Sequence, residues 1–520
     1  MEQMETEYYV MGIDAGTQGV RVALVDLTGV IVSLADEAYP IYYPRPGWAE
    51  QEIGEIWRST VKAVRRCLGE ASIGKDRVIG ICCDGTSSTV IPVTETGTPL
   101  RRAILWMDGR AVEETEAINA TRHPILRYAG GAESVEWMVP KALWLKRHEP
   151  RTYEEARYIV ESTDWLTHKL TGRWTASLCN ATCKWNYLRP LGGWDRSFFA
   201  AIGLEDLLVK WPQDVLPMSA LVGPLSEGAA VELGLSPGIA VAQGGIDAHM
   251  GIFGLNALAP GRMAMILGTS VVCLALSAEP FYHPGLWGPY PEAVLPGLWL
   301  LEGGQVSAGS LVKWYRDHMG GTAVLEAERR GLSAYQLLDE EARRIPPGAE
   351  GLVVLDHWQG NRTPLRDPLS RGVISGLTLH HTPAHILRAI YEGICFGTRQ
   401  IIEVFTSEGH KIEDMYVCGG GSRSRLWLEI LSSVCRRPIV LTHTAESVCL
   451  GDAICAAVAA GAFKDLREAA EAMVKIKEVI EPESGTGEVY DFFYDKYRRV
   501  YEGLRDVMHE LALSTRSDRE

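Results

Sequence analysis

Two short segments, half a chain apart, share one pattern: an apolar strand, a glycine-rich turn carrying a threonine, and a second apolar strand. The first is Met11-Gly12-Ile13-Asp14-Ala15-Gly16-Thr17-Gln18-Gly19-Val20-Arg21, and the second is Met263-Ala264-Met265-Ile266-Leu267-Gly268-Thr269-Ser270-Val271-Val272-Cys273-Leu274. β-Branched and apolar flanks around a Gly-Thr turn read as a hairpin. Glycines at 12, 16 and 19 let backbone amides approach an anion, while Thr17 and Gln18 add side-chain donors and Arg21 adds charge. Asp14 is repelled by a phosphate unless a cation such as Mg²⁺ lies between them. Either segment alone reads equally well as an ordinary hairpin. Together they imply two related halves gripping one nucleotide.

A second repeated feature supports this. Val78 to Cys83 leads into Asp84-Gly85-Thr86-Ser87-Ser88, and Met415 to Cys418 leads into Gly419-Gly420-Gly421-Ser422. The expected fold class is therefore α/β, with two actin-like (ribonuclease H-like) ATPase domains around a nucleotide cleft. At 520 residues the chain is too long for one core. We place the domains at 1–255 and 256–520, with the crossover between Gly254 and Pro260. Helices are expected over 51–68, 109–119 and 139–148 in the first half, and over 383–407 and 446–461 in the second.

A net charge of −15 argues against a nucleic-acid partner. No apolar run approaches the roughly 18 residues of a membrane span. The acidic start Met1 to Glu7 is unlike a targeting peptide, and the polar end from Ser514 to Glu520 is expected to fray. Eleven cysteines, an odd number without a regular framework, point to a reducing cytoplasm. Cys179 and Cys183 lie four apart, with no second pair or histidine at zinc spacing, so a metal site is not expected there.

Between the two hairpins, Val241-Ala242-Gln243-Gly244-Gly245-Ile246-Asp247-Ala248-His249 sets a lone acid after an apolar strand and two glycines. Asp247 reads either as a helix N-cap or as a general base taking a proton from an alcohol during phosphoryl transfer. Asp108 and Arg110, Lys184 beside Trp185, and Glu302 before Gly303-Gly304 supply the charged and apolar mixture that a polyol needs. Singly, each reads as a surface ion-pair partner.

From about Tyr8 to residue 500 the chain resembles the FGGY carbohydrate kinase family. The resemblance is carried by Gly372-Val373-Ile374-Ser375-Gly376-Leu377, by His385 to Glu392 and by Pro140 to Lys146, although Met138 departs from the family pattern upstream of the last. Within the family, Trp106 to Ala111, Ser177 to Trp185, Ile246 to His249, Leu301 to Gln305 and Gly360 to Leu365 look most like the ribulokinase branch, of D-ribulose kinase type. The resemblance implies that Asp247 is the catalytic base, and that Lys184, Glu302 and the Gly85, Thr86, Ser87 loop contact a ketopentose. It implies that Asp14, Gly16, Thr17 and Gln18 form the first phosphate loop, Gly268 and Thr269 the second, and Gly420 and Gly421 the adenosine site. ATP and Mg²⁺ are the implied cofactors, with Asp14 holding the metal through water and Asp247 as a second candidate ligand. A homodimer is the assembly the resemblance leaves open. Other pentuloses, pentitols and tetroses stay open as substrates, as do a non-catalytic actin-like ATPase and a sugar sensor.

Overall fold

The computed structural model describes residues 8–407 and 409–514. The acidic start and the end beyond Ser514, where fraying is expected, lie outside the described residues. Strands β1 (Tyr9–Ala15), β2 (Gly19–Asp26), β3 (Ile31–Ala38), β4 (Val78–Gly85), β5 (Leu221–Pro224) and β6 (Ala240–Ala242) form one sheet in the order β5-β6-β4-β1-β2-β3. Strands β7 (Gly261–Leu267), β8 (Val271–Ser277), β9 (Trp287–Pro291), β10 (Trp299–Gln305), β11 (Ile412–Cys418), β12 (Ile439–Thr442) and β13 (Ile476–Ile480) form the other, in the order β9-β10-β8-β7-β11-β12-β13.

Both sheets have the same plan. A three-stranded antiparallel meander, β1-β2-β3 or β7-β8-β10, is continued by two parallel strands, β4-β6 or β11-β12, and closed by an antiparallel edge. The first strand of each hairpin is central and almost wholly buried, which is why it reads as a continuous apolar run rather than an alternating one. The fold is thus the two-domain actin-like α/β architecture.

Five helices place the site: α1 (Ile53–Ala71), α2 (Leu178–Lys184), α3 (Asp247–Gly254), α4 (Pro383–Thr406) and α5 (Ser447–Ala459). Helix α5 belongs to the second half but lies on β1 and β4 of the first sheet and against α3. Its surface is small for a physical reason. A Cβ on Gly12 would meet the Cys449 carbonyl oxygen at 2.2 Å, and one on Gly451 would meet the Met250 carbonyl oxygen at 2.0 Å. The two helices and the strand therefore touch backbone to backbone, with Ala453, Ala456 and Ala457 buried between them. One hydrophobic cluster runs across this seam from Val10 and Cys82 through Met250 to Ala264 and Ala453.

Four of the five expected helices fall on α1, α4, α5 and Met138–His148. The helix expected from residue 109 begins instead at Val112, because Asp108 and Arg110 are held in a turn. The 28-residue helix Gly487–Ser514 was not anticipated. Among the described residues, no helix is long and apolar enough to cross a membrane.

Candidate active site

The turn between β1 and β2 is fixed through its carbonyl oxygens. The Tyr39 hydroxyl donates to the Gly16 carbonyl, Gln51 Nε2 donates to the Thr17 carbonyl at 2.6 Å, and the Tyr39 amide donates to the Gln18 carbonyl at 3.2 Å. Trp106 Nε1 donates to Thr17 Oγ1 at 3.1 Å. The turn between β7 and β8 is fixed in the same way. The Gly309 amide donates to the Gly268 carbonyl at 3.0 Å, and the Ala308 and Ser310 amides donate to the Thr269 carbonyl at 3.1 and 3.0 Å. Both turns are thus anchored to the protein through their carbonyls.

Carboxylates gather under the first turn. Parallel pairing sets Asp14 on β1 directly beside Asp84 on β4. Asp247 is the first residue of α3, and Asp452 comes from α5 across the seam. Asp14 and Asp247 are partly exposed, whereas Asp84 and Asp452 are fully buried. Burial and the Asp247 carboxylate hold Asp14 up at about 7. Burial and Asp452 push Asp84 well above the usual carboxylate range, and burial, Cys82 and Asp14 do the same to Asp452. These acids crowd one another in a low-dielectric floor, which disfavours charge on the two sealed ones.

Helix capping does not account for Asp247, because the cap position is Ile246. Its Oδ1 accepts the Ala248 amide at 2.7 Å. Burial raises its pKa against the Ala248 amide and His249, which favour the ionised form. The Gly85 to Ser87 loop runs beside it, with the Gly85 amide 3.4 Å from the Gly245 carbonyl. A Cβ on Gly85 would approach Thr163 Oγ1 to 2.8 Å. Thr86 is buried and bonds Thr89 at 2.8 Å, while Ser87 remains partly exposed.

Lys184, at the end of α2, reaches across the cleft to Glu302 on β10, with Nζ 3.3 Å from Oε2. Trp137 and Trp287 face the ammonium at 5.0 Å each, and Tyr290 at 5.7 Å. Burial alone would raise Glu302, but Lys184 and His249 outweigh it and lower the carboxylate to about 2. Burial alone would lower His249, but Cys179 and Glu302 raise it to about 9.

Three expected site residues are placed elsewhere. Asp108 and Arg110 are closed on each other: Arg110 Nε and Nη2 each lie 2.8 Å from an Asp108 oxygen, and Nη2 lies 2.8 Å from Glu50. Arg110 also stacks on Trp48, 3.7 Å from the ring centre. Both side chains are 0% exposed, so this is a sealed ion pair and not a hydroxyl-binding surface. Arg21 turns from the phosphate turn to Glu446, 2.6 Å away, and joins the two halves at the surface.

The structure adds residues to which the motifs assign no role. Lys141 Nζ is buried and donates to the carbonyls of Ser88, Leu105, Trp106 and Glu136 at 2.8 to 3.2 Å, tying the Gly85–Ser88 loop to its neighbours. Glu161 accepts the Ser88 amide and Asn180 Nδ2 at 2.7 Å each, and so braces both that loop and α2. In the second half, a cavity of about 880 Å³ brings Gly268 and Thr269 together with Gly420 and Gly421, between Trp314, Tyr335 and Trp427. A pocket of this size with aromatic walls suits a nucleoside.

Comparison with known proteins agrees with this geometry. The FGGY family of carbohydrate kinases matches twice, its N-terminal domain over residues 9–254 and its C-terminal domain over residues 263–460. An FGGY carbohydrate kinase domain-containing protein of Xenopus laevis is 36% identical, covering 96% of this chain and 97% of its own. A ribulokinase of Anoxybacillus flavithermus is 32% identical, covering 97% and 96%. The crystal structure of xylulose kinase from Rhodospirillum rubrum superposes with a TM-score of 0.84 at 28% identity, covering 96% of this chain and all of that one.

Proposed function

The chain belongs to the FGGY family of carbohydrate kinases, and from that premise we propose that it moves the γ-phosphoryl group of ATP to the terminal hydroxyl of D-ribulose, giving D-ribulose 5-phosphate. The observation that carries the reading is that Asp247 lies beside the Gly85–Ser87 loop and close to both Asp14, under the first carbonyl-anchored turn, and the Lys184–Glu302 pair. The ribulokinase and xylulose kinase relatives support a five-carbon ketose as the substrate class.

In this reading, Asp247 takes the hydroxyl proton on the carboxylate oxygen that does not hold the Ala248 amide. Its raised pKa makes it a better proton acceptor late in the transfer, when the alcohol oxygen is already bonding to phosphorus. Lys184 and Glu302 hold sugar hydroxyls between the indole faces of Trp137 and Trp287. Gly16, Thr17 and Gln18 grip the phosphates from the first half, and Gly268 and Thr269 from the second. The adenosine lies over Gly420 and Gly421 in the aromatic cavity. Asp108, Arg110 and Arg21 have no part in it.

The residues present fit a hard cation. Two partly exposed carboxylates, Asp14 and Asp247, are close enough for one to hold the other's pKa up, which is the donor set Mg²⁺ takes. Asp14 would hold it through water, with Asp247 as the second candidate, and when bound it supplies charge neutralisation at the phosphates. Eleven free cysteines support a cytoplasmic setting.

The test is ADP release across pentuloses, pentitols and tetroses with ATP saturating. D-Ribulose should show the highest kcat/KM. A higher value for L-ribulose, xylulose, ribitol or a tetrose would replace the sugar and keep the kinase.

A further inference from the structure

Helix α2 puts Cys179 and Cys183 one turn apart on the face that meets α3, and α3 puts His249 opposite them. Cys179 Sγ lies 3.1 Å from His249 Nδ1 and Cys183 Sγ lies 4.0 Å from the same nitrogen. All three donor atoms lie within 4.8 Å of one another, and all three residues are buried. We propose that Cys179, Cys183 and His249 form a binding site for one thiophilic divalent cation, with Zn²⁺ as the best fit, in the floor beside Lys184 and Glu302.

Distances decide the fit. A tetrahedral zinc, with Zn–S near 2.3 Å and Zn–N near 2.0 Å, sets sulfur and nitrogen about 3.5 Å apart and two sulfurs about 3.8 Å apart. The two observed sulfur–nitrogen distances straddle that value, so the ligands close on a metal by shifts of about half an ångström. Charge decides it too. Two thiolates, a neutral imidazole and Zn²⁺ sum to zero, a sum that buried surroundings tolerate, and the neighbouring Lys184–Glu302 pair is likewise neutral.

His249 presents Nδ1 to the sulfurs and Nε2 to Glu302 Oε2, 3.8 Å away. A carboxylate facing the far ring nitrogen favours the proton on Nε2, the tautomer that leaves Nδ1 free for a metal. Three protein ligands leave a fourth position open. Soft sulfur donors separate this site from the all-oxygen set of Asp14 and Asp247, so Mg²⁺ does not compete for it. Loading the site releases to solvent the protons that Cys179, Cys183 and His249 hold between them, leaving two thiolates and a neutral imidazole, and changes no oxidation state.

The test uses the full chain stripped with a chelator and then given one equivalent of Co²⁺. A thiolate-to-cobalt charge-transfer band in the near ultraviolet should appear, persist in excess Mg²⁺ and disappear as one equivalent of Zn²⁺ is added. Cys179→Ser and Cys183→Ser should each lose the band while keeping the far-ultraviolet circular dichroism of the parent. Zinc-edge X-ray absorption on the unmutated protein should count two sulfurs and one imidazole nitrogen, a result independent of how the variants fold. Absence of the band, its retention in both folded variants, or a zinc shell without sulfur would overturn the proposal.

Discussion

The turns after β1 and after β7 share a backbone and differ in everything beneath it. Both hold their Gly-Thr carbonyls against the protein. The position before the turn is Asp14 in the first half and Ile266 in the second, and their parallel neighbours are Asp84 and Cys418. The first turn therefore stands on a carboxylate floor with Asp247 beside it, and the second opens on an aromatic cavity whose charged lining carries both signs, Lys313 and Arg423 with Asp317 and Asp339. The fold thus offers two turns of one shape, while Asp247 stands by the first alone and the Lys184–Glu302 pair draws on both halves.

That asymmetry can be broken from either side. Asp247→Asn should cost roughly 10²–10⁴ in kcat, with ATP affinity by calorimetry little changed. Comparable losses in both would place Asp247 under the nucleotide. Lys184→Ala leaves Glu302 buried without its ammonium partner, so the sugar KM should rise by roughly 10²–10³-fold, the equivalent of about 3–4 kcal/mol. Steady-state kinetics should show little change in the ATP KM, and an equal rise in both would move Lys184 out of the sugar site. Ile266→Asp gives the second turn the acid it lacks, and without a bridging cation should weaken ATP binding by roughly tenfold. An unchanged Kd would mean that the second turn does not carry phosphate.

A smaller effect sharpens the same contrast through pH. Asp14 titrates near 7 in the folded chain against an ordinary 3.8, so its stabilising contribution is complete below 3.8 and is lost as pH rises to about 7. Without added Mg²⁺, Asp14→Asn should therefore gain Tm over the parent between about pH 5 and about pH 8. A difference independent of pH would contradict the assignment. Smallest of all is Arg21→Ala. Its pair with Glu446 is half exposed and should contribute no more than about 1 kcal/mol by denaturant melts, with the ATP KM unmoved. A large rise in that KM would restore Arg21 to the phosphate turn.

Much of this was legible because glycine spacing and apolar runs are local signals. The hairpins, the buried strands and the alanine-rich α5 each follow from neighbours in sequence. What escaped depends on contacts between distant segments. Asp108 and Arg110 look like sugar ligands until Glu50 and Trp48 arrive from another element and seal them. Asp452 joins the carboxylate floor only because α5 crosses to the first sheet. Cys183 and His249 meet across 66 residues, a separation outside the short spacings by which metal sites are read from sequence. Lys141 sits within a recognisable motif, but nothing local shows that it would bond four carbonyls.

The central claim is that both halves act on one transfer between ATP and a sugar, with water kept out. Its most direct measurement follows ADP release and sugar-phosphate formation together on the unmutated protein, with and without the pentulose. The account predicts one sugar phosphate per ADP and near-silence without sugar. ADP released at the same rate whether or not a sugar is present would contradict it.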